Sequence, residues 1–136
     1  MSEEGARVDL RGASILVVDD VPANLEVLCE SLEEEGYEVL VAADGEGALK
    51  VASYSIPELI LLDVVMPGMD GYETCRQLKQ HQHTRGIPVV FLTARDEVEG
   101  IVEGFSAGGL DYIVKPFSRE EVLIRIRTQL ERVRLE

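Results

Sequence analysis

Five side chains in this chain combine reactive chemistry with a shared kind of position. Asp63 follows the apolar run Leu59-Ile60-Leu61-Leu62, Asp19 and Asp20 follow Ile15-Leu16-Val17-Val18, Thr93 follows Val89-Val90-Phe91-Leu92, and Lys115 follows Tyr112-Ile113-Val114. Runs this short and this apolar read as buried strands. A residue just past such a run stands at the rim of a sheet, where the Asp63 carboxylate is expected to be exposed. Acids, a hydroxyl and an ammonium at strand ends make a site for a divalent cation and a phosphoryl group. Two unit charges about 4 Å apart repel by about 1 kcal/mol in water and about 4 kcal/mol at an effective dielectric of 20. Three clustered carboxylates therefore need positive compensation, from Lys115 or from a hard cation. Magnesium takes oxygen ligands, usually one or two carboxylates plus waters and phosphate oxygen. Aspartates with no His or Cys close by suit that preference. An aspartate can also attack phosphorus to give an aspartyl phosphate. Phosphoryl transfer asks chiefly for positioning and for neutralised charge on the equatorial oxygens, which a cation, Lys115 and Thr93 would supply around Asp63.

The elements that must position these residues alternate regularly. Strand candidates are Ala13–Val18, Glu38–Ala42, Glu58–Leu62, Pro88–Leu92 and Tyr112–Val114, nearly all apolar, as parallel strands covered on both faces are. Five helical segments lie between and after them. The first carries Leu25, Leu28, Cys29 and Leu32 at one-face spacing, with Pro22 in its first turn and Gly36 closing it. The second runs from about Gly45 to Tyr54 behind Asp44 as N-cap, and Asp70 with Glu73, like Ser118 with Glu121, has the spacing of a capping box. The fourth, roughly Asp96 to Ser106, has an inner face of Val98, Ile101, Val102 and Phe105, yet it contains Gly100 and Gly104. Each interior glycine costs about 0.8–1 kcal/mol relative to alanine, so the helix is either closely packed at those points or marginal enough to shift. The fifth shows Leu123, Ile126, Leu130 and Val133 at a spacing that suits a coiled-coil seam. A five-fold βα alternation with short connections implies an α/β, doubly wound, five-stranded parallel sheet. Ligands of such sheets bind beyond the carboxyl ends of the strands, where strand order reverses, and all five reactive residues occupy those ends.

Four segments then carry a resemblance. ILVVDD (Ile15–Asp20), LILLDVVMPGMDGYE (Leu59–Glu73), VVFLTA (Val89–Ala94) and DYIVKPF (Asp111–Phe117) closely resemble the receiver domain of bacterial two-component response regulators, in order, over about Ala13 to Arg134. The resemblance implies a flavodoxin-like (βα)5 domain and a phosphoacceptor switch rather than a turnover enzyme. It implies that Asp63 accepts a phosphoryl group from a histidine kinase or a histidine phosphotransfer protein. Asp19, Asp20, Asp63 and the Val65 carbonyl would bind magnesium or manganese. Lys115 would contact the phosphoryl group before a cis bond to Pro116, and Thr93 with Tyr112 would form the switch pair. The face built from the fourth helix, fifth strand and fifth helix would change its contacts, with a homodimer as one outcome. By the same resemblance Val65 and Arg95 flank the path of the hydrolytic water; valine cannot orient that water and Arg95 is long enough to cover the phosphate, so a long-lived phosphorylated state is expected. Taken singly, an aspartate after a strand is a helix cap and Lys115-Pro116 is a turn; together, at this order and spacing, they are a site.

The totals exclude several classes. With 136 residues the chain forms one domain, able to bury about two-thirds of its unfolded surface. A net charge of −13 repels phosphate backbones, so direct nucleic-acid binding is not expected. No apolar stretch approaches the roughly 20 residues that span a bilayer, and cytoplasmic placement is expected. Cys29 and Cys75 lack CxxC spacing and read as two buried small hydrophobes. His81 and His83 read as a solvated loop without a third ligand. A haloacid-dehalogenase-like phosphatase would carry a second acid two residues after its nucleophile, where this chain has Val65. A nucleotide site would need a glycine-rich loop where Val21-Pro22-Ala23 stands. A degenerate receiver working by binding alone would be expected to lack the acids or the lysine. Residues 1–12 are expected as an acidic, flexible arm, 13–134 as the receiver domain, and 135–136 as the end of the last helix or the start of a linker helix. The ending SREEVLIRIRTQLERVRLE resembles receivers that lead into kinase or cyclic-nucleotide signalling domains, as an excised module would.

Overall fold

The structure is a computed structural model that describes residues 9–94 and 101–135, with backbone alone at 101, 102 and 135. Strands and helices alternate: β1 (Ser14–Val18), α1 (Pro22–Glu34), β2 (Glu38–Ala42), α2 (Gly45–Ser55), β3 (Leu59–Asp63), α3 (Gly71–Gln80), β4 (Val89–Ala94), α4 (Ile101–Ser106), β5 (Asp111–Lys115) and α5 (Arg119–Leu135). All pairings are parallel in the order β2-β1-β3-β4-β5. The fold is therefore the doubly wound, flavodoxin-like α/β sheet that the alternation implies.

Why the strands lack a polar face is visible in the two cores. Ile15, Val17, Leu59, Leu61, Val90 and Leu92 pack against Leu28 and Leu32 of α1 and Val122, Ile126 and Leu130 of α5. Their neighbours Leu16, Val18, Ile60, Leu62, Val89 and Phe91 pack on the opposite face with Ala48 and Ala52 of α2 and Cys75 and Leu78 of α3. Each strand residue thus serves one face or the other, and period-two burial becomes continuous apolarity.

Local signals fix the helix ends. Pro22 stands at the start of α1, and the Asp44 and Asp70 carboxylates accept from Gly47 N at 2.7 Å and Glu73 N at 2.9 Å. Ser118 Oγ accepts from Glu121 N at 3.1 Å. Gly36 takes the left-handed conformation (φ 91°) that ends α1.

Several expectations change. β3 and β5 run one residue, and β4 two residues, past their expected ends, so Asp63, Thr93 and Lys115 lie within the strands rather than beyond them. The buried stripe of α5 is Val122, Ile126, Gln129 and Leu130, with Leu123 half-buried; Val133 is exposed, because the sheet, not a partner helix, selects the inner face. Cys75 is buried but Cys29 is only half-buried. Of the arm expected over 1–12, Leu10 is buried in the α1/α5 core and Gly12 N donates to Gly36 O at 2.8 Å. Arg95, Val98 and Gly100 lie outside the described residues.

Candidate functional site

The register brings the acids together. Val18 pairs with Leu62, so Asp19 and Asp63, the next residue on each strand, leave adjacent strands side by side, about 4.8 Å apart in the hydrogen-bonding direction. This is the point where the order reverses, β2 on one side of β1 and β3 on the other. One carboxylate oxygen from each of Asp19, Asp20 and Asp63 lies within 4.8 Å of the other two. Lys115 starts two strands away. Asp63 pairs with Leu92 and Ala94 with Lys115, so Lys115 stands two residues further along and its long stem reaches back over the end of β4. Its Nζ donates to Asp63 Oδ1 at 3.1 Å and lies 3.5 Å from Asp19 Oδ2.

The expectation of an exposed Asp63 is overturned: it is 4% exposed and Asp19 is fully buried. Burial and the neighbouring Asp19 carboxylate push the Asp63 carboxyl up to about 6, against the pull of Lys115. One ammonium does not compensate three acids. Asp19 is held by its own hydrogen bonds, accepting from Val21 N at 2.9 Å and Asn24 Nδ2 at 3.2 Å. Asp20 is the most open of the three.

Thr93 is 2% exposed and donates to Ala94 O at 3.3 Å. Behind it lies a cavity of about 10 Å³ lined by Tyr72, Phe91, Gly104, Phe105, Asp111 and Tyr112. The Tyr112 ring meets the Phe105 ring edge-on, centroids 6.2 Å apart. Val65, the second residue after β3, is 57% exposed, and the Lys115–Pro116 peptide is cis. His81 and His83 are exposed in the loop after α3, apart from the acids.

Two supporting residues escaped the sequence reading. A side-chain carbon at Gly71 would overlap the Asp63 carbonyl oxygen and lie 2.8 Å from Val64 Cα, while Gly71 N donates to Val64 O at 2.8 Å. Gly71 therefore lets α3 begin directly against the backbone that carries Asp63. Asn24, which orients Asp19, looked like any polar residue in the first turn of α1. The local signal at Gly71 is the pair Asp70-Gly71, which by itself marks no more than a helix start.

The family profile described as the response regulator receiver domain matches residues 15–127. This chain belongs to that family. The response regulator PleD of Caulobacter vibrioides is 46% identical over 116 residues, which are 85% of this chain and 26% of that protein. The alkaline phosphatase synthesis transcriptional regulatory protein PhoP of Bacillus subtilis is 46% identical over 118 residues, 87% of this chain and 48% of that protein. This receiver chain thus spans between a quarter and about half the length of these curated relatives. Among solved structures, the receiver domain of a sensor histidine kinase of Pseudomonas aeruginosa, with a magnesium ion coordinated in its active-site cleft, superposes with a TM-score of 0.81 at 33% identity, covering 88% of this chain and 98% of that one. No described helix of the receiver is long and apolar enough to cross a membrane.

Proposed function

We propose that this receiver is a phosphorylation switch in which Asp63 accepts a phosphoryl group from a phosphohistidine of a sensor kinase or phosphotransfer protein. The observation that carries the reading is the pairing of a buried Asp63 with Lys115 inside a cluster of three carboxylates. An Asp63 carboxylate oxygen forms the new O–P bond as the P–N bond breaks, and the imidazole nitrogen keeps the electron pair. Lys115, already on Asp63 Oδ1, is placed to neutralise a phosphoryl oxygen. Thr93 exchanges its bond to Ala94 O for another. The donor set is oxygen only and carries excess negative charge, which fits a hard cation held by Asp19, Asp20, Asp63 and the Val65 carbonyl. Magnesium or manganese, when bound, supplies further neutralisation of phosphoryl charge.

Withdrawal of Thr93 toward the phosphate leaves the space behind it to Tyr112, and the face of α4, β5 and α5 changes its partner contacts, including contacts with a second copy. Val65 and Arg95 are the positions assigned, by family resemblance alone, to tuning hydrolysis of the phosphoryl group, and a slow decay is expected from them. The chain acts on itself, without turnover of a small substrate, and works in the cytoplasm without contacting nucleic acid. Residues 13–134 form the receiver unit, with 1–12 as the arm before it and 135–136 as the end of the last helix or the start of a linker helix. Intact mass after incubation with magnesium and acetyl phosphate tests the reading. Gain of one phosphoryl group by wild type and none by Asp63→Asn is expected; equal gain by both would place the acceptor at another residue, and no gain at saturating donor and metal would leave a receiver that signals by binding alone.

A further inference from the structure

The packing of α4 on α3 bears on how the switch is set. Arg76 of α3 donates through Nη2 to Glu103 Oε1 of α4 at 3.0 Å and through Nη1 to Glu73 Oε1 at 3.4 Å. Beside it the Cys75 thiol donates to Ala107 O at 3.4 Å, just past the end of α4. The backbone of α4 rests on aromatic rings. A side-chain carbon at Gly104 would lie 3.0 Å from the Phe91 ring and 3.1 Å from that of Tyr72, and one at Gly109 would overlap Phe91. Those rings, with Thr93, Phe105 and Tyr112, line the cavity of about 10 Å³, which has room for one water at most. A tyrosine ring does not fit there while α4 stays on Phe91 and Tyr72. Whatever ties α4 to α3 therefore opposes the inward turn of Tyr112.

We infer that Arg76 is a positioning residue for the switch, its ion pair with Glu103 clasping α4 over the cavity behind Thr93 and so setting how readily Tyr112 turns inward. The inference rests on the phosphoacceptor reading and adds the element that biases it. The pair lies on the surface, away from the acids, and both side chains are about half-exposed. Its effect is accordingly a modest shift of population and not an all-or-none lock. A ligand that prefers the arrangement with α4 displaced binds more tightly once the clasp is removed.

The test uses the full 136-residue chain and beryllium trifluoride with magnesium as the phosphoryl probe. Arg76→Gln and Glu103→Gln are each expected to bind the probe roughly two- to fivefold more tightly than wild type, the range that exposed ion pairs command. The double variant is expected to gain no more than either single change, since the two residues act through one contact. Arg76→Lys, which keeps the charge, stays near wild type. In ligand-free protein, amide exchange over Glu103–Gly109 speeds up in both single variants and no further in the double. Unchanged or weaker probe binding in the singles, or gains that add in the double, would overturn the inference. A wild type that binds no probe would sink the phosphoacceptor reading instead, and the exchange pattern would then decide the clasp by itself.

Discussion

Removing the charge of Asp63 is expected to stabilise the unphosphorylated protein, and to do so only where that carboxyl is ionised. Its value rises from 3.8 to about 6 on folding, because burial and Asp19 outweigh Lys115. About two units at 1.36 kcal/mol each give about 3 kcal/mol. The folded state holds this proton more tightly than the unfolded chain does, so the favourable contribution is complete below pH 3.8 and disappears as pH rises through about 6. At pH 7.5 the wild type therefore carries a penalty of about 3 kcal/mol that Asp63→Asn lacks, since the amide resembles the neutral acid and still accepts from Lys115. Urea unfolding of both proteins in EDTA, from pH 4.5 to 7.5, measures the gap; acids remote from position 63 contribute equally to both proteins and cancel. The gap is expected to be about 1 kcal/mol at pH 4.5, to reach most of its size by pH 6 and to level off near 3 kcal/mol, or about 6–12 °C in Tm. Magnesium in excess binds the native wild type and narrows it by mass action. A gap that is flat with pH, or an Asp63→Asn protein no more stable than wild type at pH 7.5, would refute the electrostatic account of the site.

Three further changes probe other parts of the account. Gly71→Ala forces a carbon into the Asp63 carbonyl and is expected to destabilise by about 1–3 kcal/mol, as overpacking does, and to slow phosphoryl uptake; wild-type stability by urea unfolding would contradict the close approach. Ile56, a β-branched residue at φ 44° that caps α2, is strained where asparagine is tolerated, so Ile56→Asn is expected to stabilise by about 0.5–1 kcal/mol in the same assay. Val65→Asn together with Arg95→Glu is expected to shorten the acyl-phosphate lifetime severalfold, followed by loss of the added mass; an unchanged decay rate would exclude both as kinetic determinants.

The fold was legible because the short apolar runs of β1, β3 and β4 are buried on both faces as central parallel strands. The helix ends were legible because Pro22, Asp44, Asp70 and Ser118 act through local bonds that two or three residues specify. The reactive residues were legible by type and strand-end position. What escaped depends on pairs distant in sequence. Asp63 is hemmed in by residues of other strand ends, Asp19 and Lys115 among them, which no local window contains. Gly71 matters because α3 starts against the Asp63 carbonyl. On α5, the apolar spacing that included Val133 is equally good for a seam or a sheet-facing stripe. Packing on the sheet chose Val122, Ile126 and Leu130, while Arg134 at the last turn pairs with Glu58 at 2.9 Å.

The most direct test of the central claim is to trap the acyl phosphate. The receiver is phosphorylated with acetyl phosphate and magnesium, reduced with borohydride, digested and mapped by mass spectrometry. Reduction converts the phosphorylated aspartate to homoserine, and the account predicts that conversion at position 63 alone. Homoserine at position 19 or 20, or no reduced residue in protein that has gained the phosphoryl mass, would contradict it.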